Sequence, residues 1–173
     1  MPNNMPDMVR IVNTYGNDIL RLGCLYLKDK HMAEDVLQDT LVKIYRKYHT
    51  LNKLTSEKTW IMSIAINVCK NYRRTAWFKK VILMDKIDDI FYNSVEDSTS
   101  KFEREEYELL KDIMSLKPIY KEVILLYYYQ QFKASEIATI LKIKESTVTV
   151  RLSRAKEKLK KNLERWSNNN EKT

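Results

Sequence analysis

An all-α fold is predicted, built as two small helical domains joined by a flexible linker, the C-terminal one a helix-turn-helix. Three observations predict it. The 173 residues include only two glycines and three prolines, against averages of about 7% and 5%, which argues against a turn-rich β protein. Pro2 and Pro6 sit near the start, so Pro118 alone falls within the fold. Apolar residues recur at threes and fours along most of the chain, the spacing of one helix face. That period lapses over residues 81–101, which are acidic and rich in Ser and Thr and read as a linker. The predicted domains are therefore 1–80 and 102–166, with 167–173 a disordered tail.

The most informative stretch is 135–163, SEIATILKIKESTVTVRLSRAKEKLKKNL. Ile137, Ala138 and Leu141 give a first short helix its inner face, and Ile143 follows a tight turn. In the second helix Val148, Leu152, Ala155 and Leu159 form one apolar stripe. The opposite side carries Ser146, Thr149, Val150, Ser153, Arg154 and Lys156. Small side chains let the backbone approach a major groove, hydroxyls and arginine bond base edges, and lysines meet phosphates. This is a helix-turn-helix pattern. Residues 142–165 hold nine Lys/Arg against three Asp/Glu, a balance that a helix used only for packing does not need and that a duplex-DNA surface does.

Charge and composition narrow the classes further. A formal net charge of +8 and a pI near 9.3 point to a polyanionic partner. Cys24 and Cys69 are far apart, with no CxxC and no His beside them, so free, buried thiols in a reducing cytoplasm are expected rather than a disulfide or zinc site. The opening MPNNMPDM has neither the basic start nor the apolar run of a signal peptide. No stretch reaches 18 consecutive apolar residues, so no membrane insertion is expected; ILLYYY at 124–129 is too short. An enzyme is not expected. His31 and His49 are isolated from any nucleophile, two lone glycines cannot build a phosphate-cradling loop, and nothing completes a metal set with Glu34, Asp35 and Asp39. No metal or cofactor is expected.

In chain order, Met8, Ile11, Val12, Tyr15, Ile19, Leu22 and Tyr26 mark a helix over 8–27, with Asp7 as its cap. Gly16 and Gly23 weaken it by about 1 kcal/mol each in propensity. After Asp29-Lys30-His31 a second helix covers 33–48, with Val36, Leu37, Leu41, Ile44, Tyr45 and Tyr48 on its apolar face. Ala33, Glu34, Asp35, Gln38, Asp39 and Lys43 lie outside that face. Acids early and cations late match the helix dipole, and the acids equally suit a docking face. Ser56 or Thr55 opens a third helix over 57–77, with Trp60, Ile61, Ile64, Val68 and Tyr72 inward. Residues 67–80 contain five Lys/Arg and no acid, together with Asn67, Asn71, Trp77 and Phe78. Cations and flat rings suit unstacked strands; Tyr72, on the inward stripe, reads as core. Helices then follow over 102–115, with Tyr107, Leu110 and Met114 in line, and over 120–130, with Val123, Ile124, Tyr127 and Tyr128, Pro118 standing where the latter would start.

Three blocks carry a resemblance. AEDVLQDTLVKIYR, TWIMSIAINVCKNYRR and LKDIMSLKPIYKEVILLYYYQQFKASEIATILKIKESTVTVRLSRAKEKL, in this order and spacing, resemble a sigma factor of the extracytoplasmic-function (ECF) group, the two-domain branch of the sigma-70 family. The resemblance covers about residues 8–165. It implies a region 2-like domain at 1–80, which binds core RNA polymerase and recognises and melts the −10 element, and a region 4-like domain at 102–166, which recognises the −35 element. Asp35, Gln38 and Asp39 would bind core polymerase at the β′ subunit. Asn67, Lys70, Asn71, Arg73 and Arg74 would approach the −10 strand. Thr149, Val150, Ser153 and Arg154 would face −35 bases, with Arg151 nearer phosphate.

The implied partners are core RNA polymerase (β′ and β subunits), promoter DNA and an anti-sigma factor, in this group often membrane-anchored. The implied location is the cytoplasm. A linker of 20 residues reaches at most about 70 Å, about two turns of B-DNA, so the halves can reach sites that far apart. The chain departs from the family pattern at Asn71 (usually Asp), at Lys142 (usually the turn Gly, so a non-glycine with positive φ is expected), at Lys144 and Ser146, and at Thr149, often basic. These departures bear on promoter sequence. Two rival readings remain: a helix-turn-helix regulator that binds a palindromic operator as a dimer, without polymerase, and a general single-strand or RNA binder using 67–80.

Overall fold

The structure is a computed structural model that describes residues 5–78 and 101–170. Among the described residues every regular element is helical. The linker expected at 81–101 lies outside them apart from Lys101, as do Lys79, Lys80 and the side chains of Trp77 and Phe78. Two compact units are distinguished, Met1–Ile90 with Thr139–Lys142, and Phe91–Ala138 with Ile143–Thr173.

In the N-terminal unit α1 (Met8–Leu27), α2 (Lys30–Lys47) and α3 (Glu57–Phe78) pack pairwise on one another. Asp7 caps α1 by accepting from the Arg10 N–H at 3.0 Å, satisfying one of the donors that every helix start leaves free. Lys28 ends the helix in the left-handed region (φ 59), its N–H donating to the Cys24 carbonyl. Asp29, expected only to break the run, caps α2 through the Met32 N–H at 2.9 Å. Ser56 opens α3 through the Thr59 N–H. Ile11, Ile19, Val36, Ile44, Ile61, Met62 and Ile66 are fully buried, each worth about 1.5–3 kcal/mol against exposure. Cys69 is buried and Cys24 half-buried, and neither is in a disulfide.

Three placements differ here, one of them Tyr45, expected on the apolar face of α2 and 49% exposed. Ala33, expected outside the apolar face of α2, is fully buried, whereas Val12, expected inward on α1, is 41% exposed. The α1–α2 crossing is close at Gly23, where an added Cβ would stand 3.0 Å from the Ala33 Cβ and 3.1 Å from its Cα. The small pair sets the contact and accounts for the burial of Ala33. Gly16 is different: its nearest neighbour would be a Val12 methyl at 3.6 Å, ordinary contact distance. Gly16→Ala is therefore expected to raise stability by about 0.5–1 kcal/mol through helix propensity. Gly23→Ala is expected to lower it by about 1–3 kcal/mol through overpacking. Urea melts of the two variants check this opposite pair of signs.

In the C-terminal unit α4 (Lys101–Ser115), α5 (Pro118–Ile124) and the final helix α7 (Glu145–Asn170) pack together. Pro118 is at the start of α5 as expected. That helix widens into a π turn over Leu125–Tyr129, closed by the Gln130 N–H donating to the Leu125 carbonyl. A π turn takes an extra residue, which rotates the face. Leu125 and Leu126 are thus buried, while Tyr127 and Tyr128, expected inward, are exposed.

Helix α6 (Ala134–Leu141) starts with the Glu136 carboxylate accepting the Lys133 N–H at 2.8 Å, one half of a capping box. Its buried residues are Ile137, Ile140 and Leu141, with Ala138 only half-buried. Lys142 has φ 55, and the Ile143 N–H reaches the Ala138 carbonyl at 3.1 Å, the long bond of a Schellman end. The expected positive φ is therefore met by lysine. Helix α7 continues to Asn170, into the segment expected as a tail. No Gly or Pro stops it, and the pairs Glu157–Lys161 and Lys160–Glu164 support its solvent face.

Candidate nucleic-acid interface

The turn between α6 and α7 spans residues 142–144, the length a helix-turn-helix uses. Val148, Leu152, Ala155 and Leu159 are all buried, so the inner stripe is as read. With about 100° per residue, this stripe leaves Ser146, Thr149, Val150, Ser153 and Arg154 outward, and all five are exposed. The Thr149 hydroxyl donates to the Glu145 carbonyl of its own helix at 3.2 Å, which leaves its oxygen as an acceptor and its methyl facing out. Arg151 is half-buried on the flank. One turn beyond Arg154 the outward face meets Glu157, paired with Lys161 at 3.0 Å, which holds the Glu157 carboxyl below its ordinary pKa. A carboxylate there is unfavourable to an approaching phosphate.

Aromatic residues of α5 and its π turn flank α7 on both sides, a feature that the sequence does not signal. Lys158 lies over the Tyr120 ring at 5.6 Å. Lys156, expected only as a phosphate contact, lies 5.6 Å from both the Tyr127 and Tyr128 rings. Its hydrogen bond with the Tyr128 hydroxyl raises its pKa, so it is cationic at any physiological pH. A groove of about 270 Å³ between α5 and α7 is lined by Ile119, Tyr120, Ser146, Thr147, Val150, Arg151 and Arg154. Arg154 is thus exposed while lining one side of this groove.

On α3, Asn67, Asn71 and Arg74 share one exposed face, with Lys70 half-buried at its edge. Arg73 is exposed but lies about 100° around the helix from Arg74, so these two arginines do not act as one fork. Amides and a guanidinium on one face can bond base edges and phosphates of a strand laid across it. Tyr72 is half-buried and its hydroxyl donates to Asp39 Oδ2 at 2.8 Å. Burial first, and the Asp39 bond second, push its pKa up to about 12. It is committed to the protein rather than free to stack a base.

On α2, Asp35, Gln38 and Asp39 are exposed along one face. A row of two carboxylates and an amide is complementary to a cationic protein surface. No group of three or more His, Cys, Asp and Glu among the described residues could hold a metal ion. None of the described helices is long and apolar enough to cross a membrane.

Comparison with known proteins accounts for both halves. Residues 11–79 match sigma-70 region 2 and residues 108–159 match sigma-70 region 4. The chain is 32% identical over 151 residues to the ECF RNA polymerase sigma factor SigM of Bacillus subtilis, covering 87% of this chain and 91% of that one. It is 28% identical over 170 residues to SigX of the same organism, covering 89% and 82%. Two solved structures share the fold at 19% identity. One is CnrH in complex with the cytosolic domain of CnrY (TM-score 0.66, 91% of this chain and 87% of that one). The other is RpoE in complex with the anti-sigma factor NepR from Bartonella quintana (TM-score 0.67, 91% and 97%). The chain belongs to the sigma-70 family, in its extracytoplasmic-function group.

Proposed function

We propose that this chain directs core RNA polymerase to a specific set of promoters and helps open them, making and breaking no covalent bond itself. The carrying observation is the α7 face: Thr149, Val150, Ser153 and Arg154 exposed over a fully buried stripe. The division of labour runs from 1–80, which docks on polymerase and takes the −10 strand, to 102–166, which takes the −35 element as duplex. Asp35, Gln38 and Asp39 of α2 face cations of the polymerase β′ subunit. Asn67, Lys70, Asn71 and Arg74 hold the unpaired −10 strand, and Arg73 meets its backbone from the flank. On the −35 side Arg154 forks onto one base, Thr149, Val150 and Ser153 read its neighbours, and Arg151 holds phosphate. A net charge of +8 speeds encounter with DNA.

The chain works in the cytoplasm, and an anti-sigma factor that covers these faces holds it inactive. Support for that partner comes from the fold shared with the sigma factor RpoE, solved with the anti-sigma factor NepR.

The test is transcription by purified core polymerase on a promoter pool, with and without this protein. Specific initiation is expected only in its presence. Arg154→Ala is expected to weaken use of the selected promoters about 5- to 100-fold and to relax preference at one −35 position, as loss of a bidentate base contact does. Sequence-specific binding to DNA by the protein alone, with no promoter preference conferred on polymerase, would instead establish an operator-binding regulator.

A further inference from the structure

Tyr72 joins the acid row of α2 directly to α3. Its ring is half-buried against the bundle, and its hydroxyl donates to Asp39 Oδ2 at 2.8 Å. Asp39 is otherwise exposed. An exposed aspartate samples several rotamers, and ordering it on binding costs affinity. A carboxylate has about four acceptor sites on two oxygens, so one bond from Tyr72 holds Oδ2 and leaves Oδ1 to an incoming cation. We infer that Tyr72 is a positioning residue for polymerase docking, fixing the Asp39 carboxylate in the orientation that its cationic partner meets.

This inference rests on the polymerase-facing reading of α2 and adds a residue outside that face. The hydroxyl is the acting group; the ring is the post that carries it. Tyr72→Phe keeps the post and removes the donor, so it leaves the bundle folded. Asp39→Asn removes the charge that the donor serves. Gln38→Ala truncates a neighbour on the same face and leaves Asp39 in place.

The experiment measures affinity for core RNA polymerase by fluorescence titration for the wild type, the three single variants, and Tyr72→Phe combined with each of the other two. Melting temperature is recorded for all six proteins. Tyr72→Phe is expected to weaken binding about 3- to 10-fold, the cost of ordering one side chain, with melting unchanged within a few degrees. In the Asp39→Asn background its effect is expected to fall below 2-fold, and in the Gln38→Ala background to persist in full. That non-additivity belongs to a pair in contact and is not produced by general loss of stability. Equal effects of Tyr72→Phe in both backgrounds, or wild-type affinity for Tyr72→Phe alone, overturn the inference while leaving the polymerase face standing. Wild-type affinity for Asp39→Asn and Gln38→Ala together overturns the face itself, and this inference with it.

Discussion

Asp39→Arg is expected to reduce affinity for core RNA polymerase at least 100-fold while leaving the fold intact. The size follows from three losses at one position. The carboxylate proposed to meet a partner cation is gone, and truncating one member of such a pair costs about 2–5 kcal/mol. The new guanidinium sets like charge against like, and its longer side chain holds the two surfaces apart. The fold survives because Asp39 is exposed and its described side-chain bond is the one from Tyr72, whose hydroxyl can turn to water or accept from the new arginine. The check is a titration with purified core polymerase beside a far-UV spectrum. A spectrum like the wild type with binding lost is the expected pair of results. Retained binding would move the docking face away from α2. Because α7 is the proposed −35 reader, Asp39→Arg should leave affinity of the free protein for duplex DNA unchanged, which separates this effect from general damage.

How much of this was legible beforehand depends on the range of each interaction. Helix α1 was read to its ends, Met8–Leu27, because its signals are local: an aspartate cap and an apolar stripe of period 3.6. The buried stripe of α7 and the proline start of α5 are local in the same sense. The positive φ at Lys142 followed from the family pattern placing glycine there.

What escaped is set by contacts distant in sequence or by changes of helical pitch. Ala33 is buried because Gly23 faces it across a crossing, and no period in α2 alone encodes that. Tyr127 and Tyr128 face outward because a π turn breaks the 3.6-residue register that predicts them inward. Left-handed residues also fall at Lys28 and Gln131, while both glycines sit inside α1, so glycine positions point to none of the turns. In the candidate interfaces the exposed residues were identifiable one by one. Their supports, Tyr72 under Asp39 and Tyr120 beside Arg154, were not, since supports are chosen by the packing of another helix.

The longest-range support is Glu57, and Glu57→Ala is expected to destabilise the N-terminal unit by about 2–3 kcal/mol. Its carboxylate joins three segments. Arg10 of α1 donates through both terminal nitrogens, at 2.9 and 2.6 Å. Tyr15 of α1 donates at 3.0 Å, and Tyr48, after α2, at 2.6 Å. Four donors on one carboxylate stabilise its charged form, the Arg10 bonds most, and hold its pKa down at about 2, against an ordinary 4.5. The same bonds and burial raise the pKa values of Tyr15 and Tyr48, which stay neutral donors throughout the acid range. A shift of that size corresponds to about 3 kcal/mol by linkage. Arg10 is 45% exposed, and solvent screening reduces this to about 1–2 kcal/mol. Lost packing and two unpartnered hydroxyls add about 1 kcal/mol more. For a unit of this size the thermal midpoint should fall by about 10–20 °C. Because the folded pKa lies below the unfolded one, the stabilisation is complete above pH 4.5 and disappears as pH falls towards 2. Urea melts at pH 7, 4.5 and 3 should therefore show the gap between wild type and Glu57→Ala wide at pH 7, beginning to close near 4.5 and narrow at 3. A gap independent of pH would mean that Glu57 acts through packing alone, and that its charge contributes nothing to holding α1, α3 and the turn after α2 together.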